Sequence, residues 1–183
     1  MTARKDDSAG THRSNRPKYF GAAVKRTEDP ALVTGRGHYV DDIRLPGTLH
    51  AAFVRSAHAH ARINGIDAAA ARALPGVHLV LTYADLPEAA QRPLTLLVPN
   101  PAITQLFTPM VLAHNEVCYV GEPIAMVVAD TRYIAEDAAN LVEVDYDILP
   151  AVSDCMDALV PGAPVVHKGT PSNIAARIPF SHG

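Results

Sequence analysis

The chain has 183 residues, 48% apolar and 19% charged, with a formal net charge of −3 at pH 7. That suffices for one ordinary domain, or a domain with tails, burying a real core. The charge balance gives no electrostatic reason to expect nucleic acid or a membrane surface as a partner.

Residues 1–16 (MTARKDDSAGTHRSNR) are polar and charged with nothing to bury, and read as a disordered tail before a domain over 17–183. Their basic side chains are not followed by an apolar signal core, so secretion is unsupported. No apolar run approaches the roughly 20 residues that span a bilayer. Cys118 and Cys155 lie far apart, which leaves a disulfide open but fits a reducing compartment more simply. A soluble, cytoplasmic protein is expected.

Residues 26–44 (RTEDPALVTGRGHYVDDIR) set Gly35 and Gly37 on either side of Arg36, a tight turn leading into an extended segment at 38–43. A glycine pair can cradle a phosphate through free N–H groups. The dinucleotide pattern also needs a preceding strand, a third glycine and a following helix, and the P-loop lysine and hydroxyl are absent too. Phosphate binding is therefore the disfavoured reading.

Pro46-Gly47 is a turn dipeptide and 49–55 (LHAAFVR) a strand. In 56–66 (SAHAHARINGI), His58 and His60 stand two apart and share one face of an extended chain. Two imidazoles on a face begin a zinc site, but three or four ligands are needed and no Cys, Asp or Glu completes the set locally. Hydrogen-bonded or interface histidines are favoured instead. Asp67 caps a short helix over 68–74 that Pro75-Gly76 ends, and 77–82 (VHLVLT) is a strand. A second short helix runs from Thr82 to Asp85-Leu86, stopped by Pro87. Asp67 and Asp85 thus read as capping or turn residues, not as a catalytic carboxylate pair.

Between 88 and 110 the periodicity is lost in a proline-rich run, EAAQRPLTLLVPNPAITQLFTPM. Residues 94–98 read as a short edge strand, where proline is best tolerated. The rest reads as a loop packed against something, which includes a surface outside this chain.

The clearest pattern is 118–146, CYVGEPIAMVVADTRYIAEDAANLVEVDY. After a turn at Gly121-Glu122-Pro123, the apolar run 124–129 reads as a strand buried on both faces. Asp130 and Thr131 offer acceptors to the free N–H groups of a helix over 131–141. Ile134, Ala135, Ala138, Ala139, Leu141 and Val142 fall on one stripe, and the helix is expected to pack through Ile134, Ala138 and Leu141. In 142–148 Val144, Tyr146 and Ile148 alternate with Glu143, Asp145 and Asp147, a half-buried strand closed by Leu149-Pro150. Glu122 is a tempting carboxylate, but one acid without a partner or metal is no active site. Beyond it come a short turn or helix at 154–159, the Pro161-Gly162 turn, and two last strand candidates at 165–167 and 174–180.

Four pieces in order, RTEDPALVTGRGHYVDDI, PGTLHAAFVRSAHAHARI, VLAHNEVCYVGEPIAMVVADT and AEDAANLVEVDYDILPAV, resemble the N-terminal α/β-hammerhead segment of molybdenum hydroxylase large subunits. That family comprises xanthine dehydrogenases, aldehyde oxidases and aerobic carbon monoxide dehydrogenases. The likeness covers about residue 20 to the end and is closer to the carbon-monoxide-dehydrogenase-like and bacterial aldehyde-oxidising members. It implies an α+β fold, with a small mixed β-sheet, a β-hammerhead element and two or three packed helices. It also implies a complex using molybdopterin cytosine dinucleotide, two iron–sulfur clusters and FAD to hydroxylate a carbon centre, or oxidise carbon monoxide, with oxygen from water. The chain departs from the family where the long cofactor-binding region would follow, so no catalytic, cofactor-binding or metal-binding residue carries over. An iron–sulfur cluster needs about four thiolates, more than this chain has. The hammerhead is related in shape to biotinyl and lipoyl carriers, but Lys168 in His167-Lys168-Gly169 lacks their flanking residues.

The leading expectation is an architectural piece of such an oxidoreductase. It would pack on the molybdenum-binding remainder of the large subunit through residues 94–110, alongside iron–sulfur and flavin subunits. The alternative is a non-catalytic interaction module without redox partner. A hydrolase built on His58 or His60 lacks a visible nucleophile-and-base arrangement and ranks last.

Overall fold

The computed structural model describes residues 23–96 and 100–181, so the tail at 1–16 and part of the 94–98 segment lie outside the described residues. The chain divides into two compact units, Met1–Pro46 and Gly47–Gly183. In the first, the short helix α1 (Asp29–Val33) carries Pro30 in its first turn, which its fixed φ suits. Asp29 accepts from the Arg26 N–H. The glycine pair then closes the helix. Gly35 sits at φ 67°, its N–H donates to the Leu32 carbonyl, and the Arg36 N–H donates to that of Ala31. Those two N–H groups are therefore spent on α1 and are not free to cradle a phosphate, the reading already disfavoured. The expected extended segment is interrupted by a 3₁₀ turn at Val40–Asp42, where Asp42 accepts from the Tyr39 N–H.

The second unit holds six strands and two helices among its described residues. In chain order these are β1 (His50–Arg55), β2 (Ala61–Asp67), α2 (Ala69–Ala73), β3 (Val77–Thr82), β4 (Glu116–Val117), β5 (Pro123–Ala129), α3 (Arg132–Asn140) and β6 (Glu143–Ile148). They form two three-stranded antiparallel sheets, β1-β5-β3 and β4-β2-β6. β5 is central in the first, which explains its uninterrupted apolar run. Met126 faces Phe53 on one side and Leu81 on the other. β2 is central in the second, pairing Ile63 with Tyr146 and Ile66 with Val144. The strand–helix–strand pattern of 123–148 is present, and α3 carries the chain from one sheet to the other.

Thr131 caps α3 by accepting from the Ile134 N–H. Ala135 and Ala138 are fully buried and Ile134 is half-buried, but Leu141 is 41% exposed. It lies past the last helical residue, so the stripe ends on Val142 instead. Ala138 and Val142 pack with Ala68, Ala71, Val80 and Val127 in one core cluster; Ala61, Ala113, Val117 and Ile124 make a second. Ile66 and Val144 touch both, coupling the sheets.

Local chemistry sets the boundaries. Asp67 accepts from the Ala69 N–H, and Asp85 accepts from both the N–H and hydroxyl of Thr82, so the two aspartates are caps as expected. The Thr82 segment is a 3₁₀ turn, Tyr83–Asp85. Gly76 sits at φ 86°, where any side chain is strained, and a Cβ would lie 2.9 Å from Ile134 Cδ1, which would have to shift. Residues 94–96 form no strand, and neither do 165–167 or 174–180 beyond one bridge between Ile103 and Ala176. Among the described residues, side chains take several of the groups a ladder would use, and the backbone–backbone bonds of 174–180 are confined to Ala175 and Arg177, which pair with 102–105. Asn173 accepts from the Val166 N–H and donates to the carbonyls of Ala158 and Pro164, while Gln105 donates to the carbonyl of Ile174. A 3₁₀ turn at Asp157–Leu159 matches the expected short element. No helix among the described residues is long and apolar enough to cross a membrane.

Candidate functional site

The side chains able to do chemistry gather where β2 and β4 meet beside an open cavity. Residues 57–60 bend instead of extending, which separates the two histidines expected on one face. Ser56 makes this bend. Its hydroxyl donates to the His58 carbonyl and accepts from the His58 N–H, and its backbone is stitched to Gly121 and Glu122. His58 turns its ring edge-on to Tyr146, with centroids 4.8 Å apart. His60 turns the other way.

His60 lies between two acceptors. Nδ1 is 2.7 Å from the Pro150 carbonyl oxygen and Nε2 is 2.6 Å from Glu116 Oε1. A carbonyl accepts only, so Nδ1 carries a proton and donates. Nε2 then meets a carboxylate either with a second proton or with its lone pair. Burial alone would lower the His60 pKa, but the Pro150 carbonyl and Glu116 together hold it above its ordinary value.

β4 delivers Glu116 through a tight turn. Asn115 adopts φ 50°, a left-handed conformation its short amide side chain tolerates, and its carbonyl accepts from the Ile63 N–H. The N–H of Glu116 donates back to the His114 carbonyl. Just past β4, Cys118 comes to the same junction as Glu116. One donor atom from each of His60, Glu116 and Cys118 lies within 4.8 Å of the others. Burial, with the carboxylates Glu122 and Glu116 nearby, pushes the Cys118 thiol up to about 11.

Glu122 is itself buried, and its carboxylate accepts from the Cys118 N–H at 2.6 Å. Burial raises its pKa more than that bond lowers it. It therefore holds the Gly121 turn closed, as the turn reading expects. Leu106, Phe107, Met110, Glu116, Cys118, Glu122 and His167 line the cavity beside this junction. Phe107 stacks on His167 at 4.1 Å between ring centroids, and burial lowers the His167 pKa. Its Nδ1 is buried without a hydrogen-bond partner.

The wall does not suit an anionic pterin dinucleotide, because Glu116 and Glu122 would repel its phosphates and Lys168 is the sole Lys or Arg among the lining residues. Nor does it hold a hydrolase. The His58 ring is packed on Tyr146 and the His60 ring is engaged by Pro150 and Glu116, so among the described residues neither imidazole is seen hydrogen-bonded to a Ser, Thr or Cys side chain as a nucleophile's base must be.

Residues 34–150 match the family model described as aldehyde oxidase and xanthine dehydrogenase, a/b hammerhead domain. The chain is 42% identical over 97% of its length to the carbon monoxide dehydrogenase large chain of Afipia carboxidovorans, covering 20% of that protein. It is 43% identical over 90% of its length to the nicotine 6-hydroxylase large subunit of Paenarthrobacter nicotinovorans, again covering 20%. Among solved structures, quinoline 2-oxidoreductase from Pseudomonas putida superposes with a TM-score of 0.72 at 43% identity, over 85% of this chain and 20% of that one. The chain spans about a fifth of the length of these relatives.

Proposed function

Since the chain belongs to the aldehyde oxidase and xanthine dehydrogenase family through its α/β-hammerhead domain, we propose that it is the hammerhead portion of a molybdenum-cofactor-dependent oxidoreductase. Its role there is architectural, with residues 17–183 as the domain. It docks on the molybdenum-binding remainder of a large subunit, and iron–sulfur and flavin subunits complete the electron path. The assembly hydroxylates an aldehyde, an N-heterocycle or a related substrate, or oxidises carbon monoxide, taking oxygen from water. Molybdopterin cytosine dinucleotide belongs to the remainder of the subunit, in keeping with the acidic wall described above, and this chain contributes no step of the chemistry.

The observation that carries the docking is the apolar rim of the cavity. Leu106 is 61% and Phe107 54% exposed, with Leu94 and Leu96 also exposed on the same loop. This loop is anchored at its base by Thr104 and Gln105, whose N–H groups donate to the Ala175 carbonyl, so the apolar side chains are presented on a fixed support. Exposed apolar surface of this kind marks an interaction site.

The test is a tagged pull-down from the native host with analysis of molybdenum, iron and flavin. A larger polypeptide carrying molybdenum is the expected result. A clean chain with no partner, monodisperse and cooperatively folded alone, would refute the docking role.

A further inference from the structure

We propose that His60 Nε2, Glu116 Oε1 and Cys118 Sγ form a binding site for a divalent, zinc-like cation, open on its fourth side to the cavity where His167 stands. Three observations lead there. Imidazole nitrogen, carboxylate oxygen and thiolate sulfur are the donor types zinc takes, and here one of each lies within 4.8 Å of the other two. Second, the His60 Nδ1–H is held by the Pro150 carbonyl at 2.7 Å. A backbone acceptor on the far nitrogen is the arrangement that fixes a metal-binding histidine in the correct tautomer, with the Nε2 lone pair turned toward the metal. Third, His167 lines the cavity with Glu116 and Cys118 and has a buried Nδ1 with no partner.

The electrostatics point the same way. Glu116 and Glu122 stand beside Cys118, the Glu122 carboxylate accepting from the Cys118 N–H, so the site attracts a cation. Cys118 binds it as thiolate, its proton leaving to the buffer. The Nε2–Oε1 separation of 2.6 Å is a hydrogen-bond distance. Tetrahedral ligation with arms of about 2.0–2.1 Å places such atoms about 3.3 Å apart, so the Glu116 side chain swings back by roughly 0.7 Å. Glu116 is only partly buried and has room to do so. Three protein ligands with an open position are the pattern of zinc sites that accept an exogenous ligand.

The experiment takes the purified chain, with whatever partner it retains, strips it with a chelator and returns zinc chloride alone. Zinc per chain is then measured, together with X-ray absorption at the zinc edge, which is blind to molybdenum and iron. The expected result is one zinc whose shell holds one sulfur at about 2.3 Å among nitrogen and oxygen. Cys118→Ser and Glu116→Gln should weaken retention by about 100-fold or more, whereas Cys155→Ser leaves it unchanged; these magnitudes follow from losing one of three ligands. The wild-type spectrum keeps the test decisive if a variant misfolds. A shell without sulfur, no retained zinc, or retention that follows Cys155 overturns the site.

Discussion

Replacing Ala138 with aspartate tests the packing of α3 most directly. Ala138 is fully buried and packs with Val80, Val127 and Val142 in an apolar cluster. A carboxyl there stays neutral at pH 7 by raising its pKa from about 3.9 to above 7, which costs about 4 kcal/mol at 1.36 kcal/mol per unit. A small outward shift of the helix recovers part of this, so the expected loss is about 3 kcal/mol. The chain has six tyrosines and no tryptophan, so far-UV circular dichroism in urea is the suitable probe, at protein concentrations low enough to limit association. The pH dependence adds a second signature. The new group has a raised folded pKa, so the variant's deficit is largest at neutral pH and shrinks as pH falls toward 4. Asp137→Ala, on the exposed face of the same helix, should change stability by no more than about 0.5 kcal/mol. A loss under about 1 kcal/mol for Ala138→Asp, independent of pH, would refute burial of this face.

Gly76→Ala should cost about 1–2 kcal/mol in the same melts, since it forces a side chain into positive φ and against Ile134; an unchanged midpoint would contradict the turn geometry. Phe107→Ser should reduce self-association in sedimentation and weaken capture of a large-subunit partner while costing only about 1 kcal/mol of stability, because the ring is half exposed and loses mainly its stacking on His167. Hydrogen bonds from Thr82 hold the Asp85 pKa below its ordinary 3.8. Its stabilising contribution is therefore present above that value and is lost as pH falls through the lower folded one. Asp85→Asn should remove that part of the acid sensitivity, and an unaltered acid-unfolding curve would show the cap to be inert.

Local patterning made most of the second unit legible. The run 124–129 and the alternation at 143–148 carry their own periods, and Thr131 marks the start of α3 with its side chain. What local pattern does not encode is which sheet a strand joins. β5 and β6 flank one helix yet pair with β1 and β3 in one case and with β2 in the other, and the partly buried Ile66 and Val144 pack against both clusters. The strands expected at 165–167 and 174–180 failed for a related reason. Apolar residues were present, but the Asn173 and Gln105 side chains take the backbone groups of Val166, Pro164 and Ile174, and the backbone pairing of 174–180 stays confined to Ala175 and Arg177. α1 went unread because five residues carry too little periodicity to register.

The same limit governs the cation site. His-x-His was visible in the sequence, but Glu116 and Cys118 drew no attention there as ligands, and either pair is only part of a ligand set when read alone. Joining them needs β2 to pair with β4 across 56 residues, and a bend at 57–60 that sends His58 away and keeps His60. The local search for a third ligand beside the histidines therefore could not succeed, because that ligand arrives on another strand. Whether the junction serves only to lock β2, β4 and the Pro150 turn together, or also holds a metal, turns on what occupies the space between Nε2 and the carboxylate. A proton there gives an ion pair that Cys118→Ser leaves untouched. A cation gives a site that Cys118→Ser disables, and the thiol is thus the side chain that separates the two.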